Sequence, residues 1–144
     1  MIALLQRVRE ASVDVGGDCI GRISQGTLAM IGVQPGDNDE VLHHFVSRIL
    51  NYRMFSDEQD KMNLSLVDIQ GGLLLVPQFT LAANTRKGRR PSFTSAATPE
   101  HGDKIFHTMV DTARSCYPTV ESGRFGADMQ VHLINDGPVT FILD

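Results

Sequence analysis

Leu73-Leu74-Leu75-Val76 constrains this chain more than any other stretch, because the apolar run stops abruptly at Pro77-Gln78-Phe79-Thr80. Gly71-Gly72 bounds it in front and a polar, basic loop follows, the pattern of a strand buried on both faces. The core places such a strand, and its polar end is placed with it. A second stretch of the same character, Val131-His132-Leu133-Ile134, runs into Asn135-Asp136-Gly137-Pro138-Val139-Thr140. The expectation is that these two strand ends build one site, held by the rest of the chain.

The flanking sequence supplies elements to do this. Residues 2–8 and 11–15 read as two strands, and Gly16-Gly17 suits a tight hairpin into a third strand over 18–23. Another apolar run follows Gln25-Gly26. Asn38 or Asp37 can cap a helix in which Val41, Leu42, Phe45, Val46, Ile49 and Leu50 form one apolar face. Thr98-Pro99-Glu100 opens a second helix of the same kind, with Ile105, Phe106, Met109, Val110 and Ala113 as its buried stripe and a stop at Pro118. Strands over 119–122, 129–134 and 139–143 complete a sheet. Strands grouped around two helices, without strict alternation, give an α+β fold. Mainly antiparallel sheets in a barrel-like arrangement with two amphipathic helices are expected, in a single domain over 1–144.

A chain of 144 residues suits one domain and buries roughly 68–70% of its unfolded surface. No apolar run approaches the roughly 20 residues of a membrane helix, and no signal-peptide pattern opens the chain, so a cytoplasmic protein without a membrane partner is expected. Cys19 and Cys116 lie in no CxxC arrangement and read as buried thiols rather than a disulfide. The net charge of −4 argues against nucleic acid coating the whole surface, and no DNA partner is expected. A local basic patch is still allowed. Arg86, Lys87, Arg89 and Arg90 form one, readable either as a solvated loop or as a phosphate-contacting loop leaving the Gln78-Phe79-Thr80 strand end.

Familiar catalytic signatures are missing. There is no GxSxG, GxxxxGK[ST], HExxH or CxxC, and Asp57, Asp128 and Asp136 form no recognisable acid/base pair. Adjacent His43 and His44 have the wrong spacing for a helical metal pair, so neither a metal nor another cofactor is expected. Backbone amides remain. A strand that ends at Gln78-Phe79-Thr80 and turns away leaves N–H groups free, and such donors aimed at a developing oxyanion contribute about 3 kcal/mol each. Gln78 and Thr80 read equally as caps of a core strand. Gly137-Pro138 reads as a turn, with short polar neighbours able to satisfy its backbone. Arg7, the one charge in the first apolar run, is either an edge residue or a partner for carbonyls at that turn.

Ordered motifs now weigh together. Gln78-Phe79-Thr80-Leu81-Ala82-Ala83, Arg90-Pro91-Ser92-Phe93, Gly123-Arg124-Phe125-Gly126-Ala127-Asp128-Met129 and Asn135-Asp136-Gly137-Pro138-Val139-Thr140 resemble the D-aminoacyl-tRNA deacylases. Residues 1–8 and 52–64 also look like that family, so the resemblance spans nearly the whole chain. It implies a homodimer acting on the 3′ end of aminoacyl-tRNA, which hydrolyses the ester of a D-amino acid and releases the free amino acid and tRNA. By motif position it implies that Gln78, Phe79 and Thr80 line the acyl pocket, the Phe79 and Thr80 amides facing the carbonyl. It implies that Gly137-Pro138 is cis and reaches into the partner subunit's pocket, rejecting L side chains, that Arg7 holds that turn, and that Met129 lies near the terminal adenine. In the family the substrate's 2′-hydroxyl is described as helping to activate water. Two positions depart from the commonest pattern, Pro77 for Ser and Asn84 for Asp, and Pro77 excludes any mechanism that needs a Ser hydroxyl there.

A pocket that works by rejecting L side chains has nothing to reject in glycine, so glycyl-tRNA carried by a non-cognate tRNA is a further expected substrate. Two rivals stand beside this reading. An editing module would remove mischarged L-aminoacyl-tRNA, and a silent tRNA-end binder would show salt-dependent affinity without turnover.

Overall fold

The computed structural model of the chain describes residues 1–144. A single strand, β1 (Ile2–Val15), runs where two were expected. Its pairing with the last strand, β8 (Gln130–Leu143), steps from Val8↔Asn135 to Glu10↔Ile134, so Arg9 is an extra residue in β1. Alternation puts Ala3 and Leu5 on the face under the helices and Val8 on the opposite one, and the bulge then brings Ala11 and Val13 onto the Val8 face, against a second cluster. One strand thereby serves two cores without a break.

Gly16 and Gly17, at φ +57° and +86°, make the turn into β2 (Asp18–Ile23), and β3 (Gly26–Gly32) pairs antiparallel with the first half of β1. From β3 the chain crosses over through α1 (Asp39–Asn51) to β6 (Gly72–Pro77), and from β6 through α3 (Pro99–Cys116) to β7 (Val120–Ser122). Both crossovers return the chain in the same direction, so β3, β6 and β7 pair parallel. The sheet is therefore mixed, with antiparallel pairing confined to β1 and its three partners in it. Its order is β2-β1-β3-β6-β7, with β8 on the other edge of β1. The sheet curls until β2 lies against β7: a Cβ added at Gly21 would stand 3.1 Å from the Ser122 carbonyl oxygen. The result is a nearly closed barrel.

β6 fulfils its sequence pattern. Leu73 and Leu75 face the helix core, Leu74 and Val76 face the barrel cluster, and all four are buried. β8 differs from expectation. Over 130–134 its residues alternate between exposed and half-buried, because one face packs Val131 and Leu133 on the second cluster and the other is uncovered; Val139 and Leu143 farther along are buried.

Asn38 caps α1, its side chain accepting from the Val41 amide at 3.0 Å. Leu42, Phe45, Val46, Ile49 and Leu50 then bury their face against the sheet. Thr98 caps α3 in the same way, with Pro99 in the first turn. Between these helices lie a small hairpin, β4 (Phe55–Ser56) with β5 (Met62–Leu64), and a one-turn helix, α2 (Leu66–Ile69), which the sequence pattern does not reveal. Ser65 and Asp68 close its capping box, and the Tyr117 hydroxyl donates to Gly71 O at 2.6 Å, pinning the end of α3 beneath it. Asp37, passed over as a cap, is buried. It receives the Met1 ammonium at 2.6 Å and the Gln34 amide at 2.8 Å.

Cys19 and Cys116 are free thiols, but both are exposed, contrary to the expected burial. One stands on β2 beside its register shift with β1, the other in the last turn of α3, both turned outward. No helix is long and apolar enough to cross a membrane.

Candidate active site

β6 ends at Pro77, and Gln78 makes the last ladder bond by donating its amide to Ile31 O at 2.8 Å. Pro77 therefore costs the ladder nothing here, since the following residue supplies the donor. The chain then turns at once into a 3-10 turn, Phe79–Ala82. The first N–H groups of such a turn have no acceptor inside it. These are the amides of Phe79 and Thr80, and no side chain caps them. The Gln78 side-chain amide donates to the Thr80 hydroxyl, holding both side chains to one side.

Pro77, Gln78 and Phe79 form one wall of a cavity of about 450 Å³. Met129 and Phe125 form another, and the start of α3 closes the end through Thr98, Pro99 and Gly102. Met129 is placed by its neighbours, its sulfur receiving the Arg124 amide at 3.4 Å. Phe125 packs on α3 where Gly102 leaves room, since a Cβ there would stand 3.0 Å from the ring. Sequence reasoning missed this helix wall. Its one available signal was Gly102, a glycine adjoining the apolar stripe of α3. Asp128 is the only ionisable side chain among the lining residues, so the cavity offers no acid/base pair and no activated side-chain nucleophile. Thr80 itself is exposed, outside the lining.

The second expected strand end is built separately. In the pairing of β1 with β8, Gln6 faces Thr140 and Val8 faces Asn135, so the single residue Arg7 stands opposite the four residues 136–139. The stretch bulges outward at the exposed Gly137 and Pro138, while Val139 turns back into the main core. The Asn135 side chain closes its neck, donating to the Thr140 hydroxyl at 2.9 Å and accepting the Val139 amide at 2.8 Å. Arg7 holds the near limb, Nε donating to Asp136 O at 2.8 Å while Nη1 reaches Met54 O at 3.0 Å. Arg9 stands 3.5 Å from the Asp136 carboxylate, adding positive charge beside the turn. The Gly137–Pro138 bond at the tip is cis, and Gly137 has φ +140°, a region L residues rarely enter.

Of the residues singled out in the sequence, Gln78, Phe79 and Met129 therefore line one cavity, and Thr80, next to Phe79, is exposed outside its lining. Arg7, Gly137 and Pro138 form a clamped protrusion that does not line the same chain's cavity. Asp57 has a structural task instead. Amides of Lys61 and Gln59 and the Asn63 side chain all donate to its carboxylate, led by Lys61, and hold its pKa below the ordinary value. Asp68 is lowered likewise, first by the Ser65 amide in the capping box.

The family model described as D-Tyr-tRNA(Tyr) deacylase matches residues 4–144. A curated protein of Pseudomonas aeruginosa (strain LESB58), named D-aminoacyl-tRNA deacylase, is 58% identical over 144 residues, covering 100% of this chain and 99% of that one. The chain belongs to this deacylase family. Among solved structures, one named "c-Myc DNA Unwinding Element Binding Protein" is 40% identical with a TM-score of 0.95, covering 100% of this chain and 98% of its own. Another, described as "a probable eukaryotic D-amino acid tRNA deacylase", is 18% identical with a TM-score of 0.85 over 99% and 97% of the two chains, and speaks to the fold alone.

Proposed function

We propose that this deacylase hydrolyses the ester joining a D-amino acid to the terminal adenosine of tRNA, and that it works as a homodimer in the cytoplasm. One observation carries the reading. Two successive unpartnered backbone amides, of Phe79 in the lining and of Thr80 next to it, adjoin a cavity that holds no acid/base pair. Acyl transfer in such a place is driven by stabilising the oxyanion, worth about 3 kcal/mol per donor.

The ester carbonyl lies against the Phe79 and Thr80 amides, with the amino acid toward Gln78 and the adenine toward Met129 and Phe125. Water adds to the carbonyl carbon and negative charge collects on the carbonyl oxygen. The bond to the ribose 3′ oxygen then breaks, and that oxygen takes up the proton the water gave. The substrate's own 2′-hydroxyl is the group best placed to relay it, since no side chain of the cavity is suited to the task.

Handedness is read by the Gly137-Pro138 turn of a second copy. The turn projects from its own chain without lining that chain's cavity, and Arg7 and Asn135 hold it rigid, which suits a probe for a neighbour. Its carbonyls face the α-amino group, and an L side chain meets main chain. Glycine passes the same filter, so glycyl-tRNA on a non-cognate tRNA is a second substrate.

The decisive experiment offers the purified protein D-tyrosyl-tRNA and L-tyrosyl-tRNA in single-turnover assays. Release from the D form alone is expected. Equal rates on both would remove the chiral claim, and turnover of mischarged L-aminoacyl-tRNA alone would favour an editing role instead.

A further inference from the structure

We infer that the loop at residues 84–91 is an arm that grips backbone phosphates of the single-stranded RNA just before the terminal adenosine, with the Phe93 ring as a stacking face. This rests on the aminoacyl-tRNA reading and specifies which part of the substrate the chain holds outside the cavity. Arg86, Lys87, Arg89 and Arg90 are all exposed, and none of them lies within 4 Å of a carboxylate. No acidic residue occurs between Asp68 and Glu100, although the whole chain carries a net charge of −4. A merely solvated loop interleaves its charges. This one concentrates a single sign on an otherwise acidic protein.

The arm is also built and aimed. Asn84 and Ser92 exchange amide-to-carbonyl bonds of 2.8 and 3.0 Å across its neck, and the Asn84 side chain receives the Arg86 amide at 3.0 Å. On the return limb, the Ser95 hydroxyl donates to Ala82 O at 2.6 Å, tying the arm to the turn that carries Phe79 and Thr80. Phe93 packs its ring 5.1 Å from that of Phe79 and is still 43% exposed. Cations beside an open aromatic face are what an unpaired strand needs: phosphate neutralisation along the backbone and a sequence-tolerant surface for a base. The neck begins four residues after Thr80, so the phosphates within reach are those next to the reacting nucleotide.

The test compares the parent with the variant R86Q/K87Q/R89Q/R90Q on two substrates, D-tyrosyl-tRNA and the D-tyrosyl ester of adenosine, which has no phosphate. Each lost single-strand contact weakens binding roughly fivefold at 0.1 M relative to 1 M salt. The expected result is a fall of at least tenfold in kcat/KM on tRNA at 0.1 M salt. Its log-log salt slope should flatten by at least one, with hydrolysis of the adenosine ester unchanged within twofold. A slope that changes by less, or an equal loss on the adenosine ester, overturns the arm. If the parent hydrolyses neither substrate, the deacylase reading fails on its own, and affinity for uncharged tRNA then judges the arm by the same drop and slope. Duplex DNA that competes as well as tRNA overturns the assignment to an RNA end. Phe93→Leu is expected to weaken tRNA binding severalfold at an unchanged slope, and unaltered affinity removes the stacking face.

Discussion

Arg7 donates from Nε to the carbonyl oxygen of Asp136 at 2.8 Å, so a residue of the first strand fixes the main chain one position ahead of Gly137. The same guanidinium binds Met54 O, and its side chain is only 14% exposed. Lysine carries the charge on a single nitrogen and lacks the fork by which separate nitrogens of Arg7 reach the Asp136 and Met54 carbonyls. Arg7→Lys should cost about 1.5–3 kcal/mol, the range for hydrogen bonds to charged groups. Discrimination between D- and L-tyrosyl-tRNA should weaken at least tenfold. Thermal unfolding and single-turnover deacylation check the two halves, and unchanged selectivity would exclude Arg7 as the clamp.

Thr80 offers both an amide and a hydroxyl. If the amide acts, Thr80→Ala and Thr80→Ser keep single-turnover rates within about fivefold, because the 3-10 turn survives either change. Loss of a donor to the oxyanion costs a hundredfold or more. A rate collapse in Thr80→Ala restored by Thr80→Ser would assign the work to the hydroxyl.

At Gly137 a Cβ would stand 2.7 Å from Val139 Cγ2 and 3.1 Å from an Arg7 guanidinium nitrogen, at a φ of +140°. Gly137→Ala must therefore shift the turn while the barrel, whose pairing lies on either side, stays folded. Hydrolysis of L-tyrosyl-tRNA should appear, or D-tyrosyl-tRNA turnover should fall at least tenfold, with an unchanged circular dichroism spectrum. Parent-like rates on both substrates would discard the turn as the chiral probe.

The buried Asp37 carboxylate meets the Met1 ammonium at 2.6 Å, with the two side chains 6% and 0% exposed. Removing one partner of a buried pair strands the other charge and costs about 3–5 kcal/mol. Asp37→Ala should lower the urea midpoint accordingly, without changing which enantiomer is hydrolysed by the folded fraction.

Asp57 and Asp68 have lowered pKa values in the folded chain, held there chiefly by the Lys61 and Ser65 amides respectively. A lowered carboxyl pKa contributes stability above the unfolded value of 3.8 and loses it as pH falls through the lower folded value. Unfolding at pH 7 should therefore separate Asp57→Asn from the parent, and the gap should close below about pH 3.8. A constant gap down to pH 2 would mean that the charge on Asp57 is not what orders the 57–63 turn.

The parts readable in advance were those governed by local chemistry. Asn38 and Thr98 cap helices, Gly16 and Gly17 take positive φ, and the unbroken Leu73–Val76 run lies buried on both faces. What escaped depends on partners distant in sequence. The bulge at Arg9 lets one strand run through a polar pair that looked like a gap, and the uncovered face of β8 leaves His132 and Ile134 exposed within an apolar stretch. The parallel pairing of β3, β6 and β7 follows only once the helices are seen as crossovers. The composition of the cavity was partly legible. Gln78, Phe79 and Met129 were named from motif position, but the α3 wall was not, because Thr98 and Pro99 read as a helix start and Gly102 carried no reading of its own.

β8 resumes its pairing with β1 at Asn135 on one side of residues 136–139 and at Thr140 on the other. Val139 returns its side chain to the main core, whereas Gly137 and Pro138 stand in solvent outside the ladder. Residues at that tip can change in kind while every strand keeps its neighbours, so, on the proposed reading of the turn, a new stereochemical preference would require no new architecture.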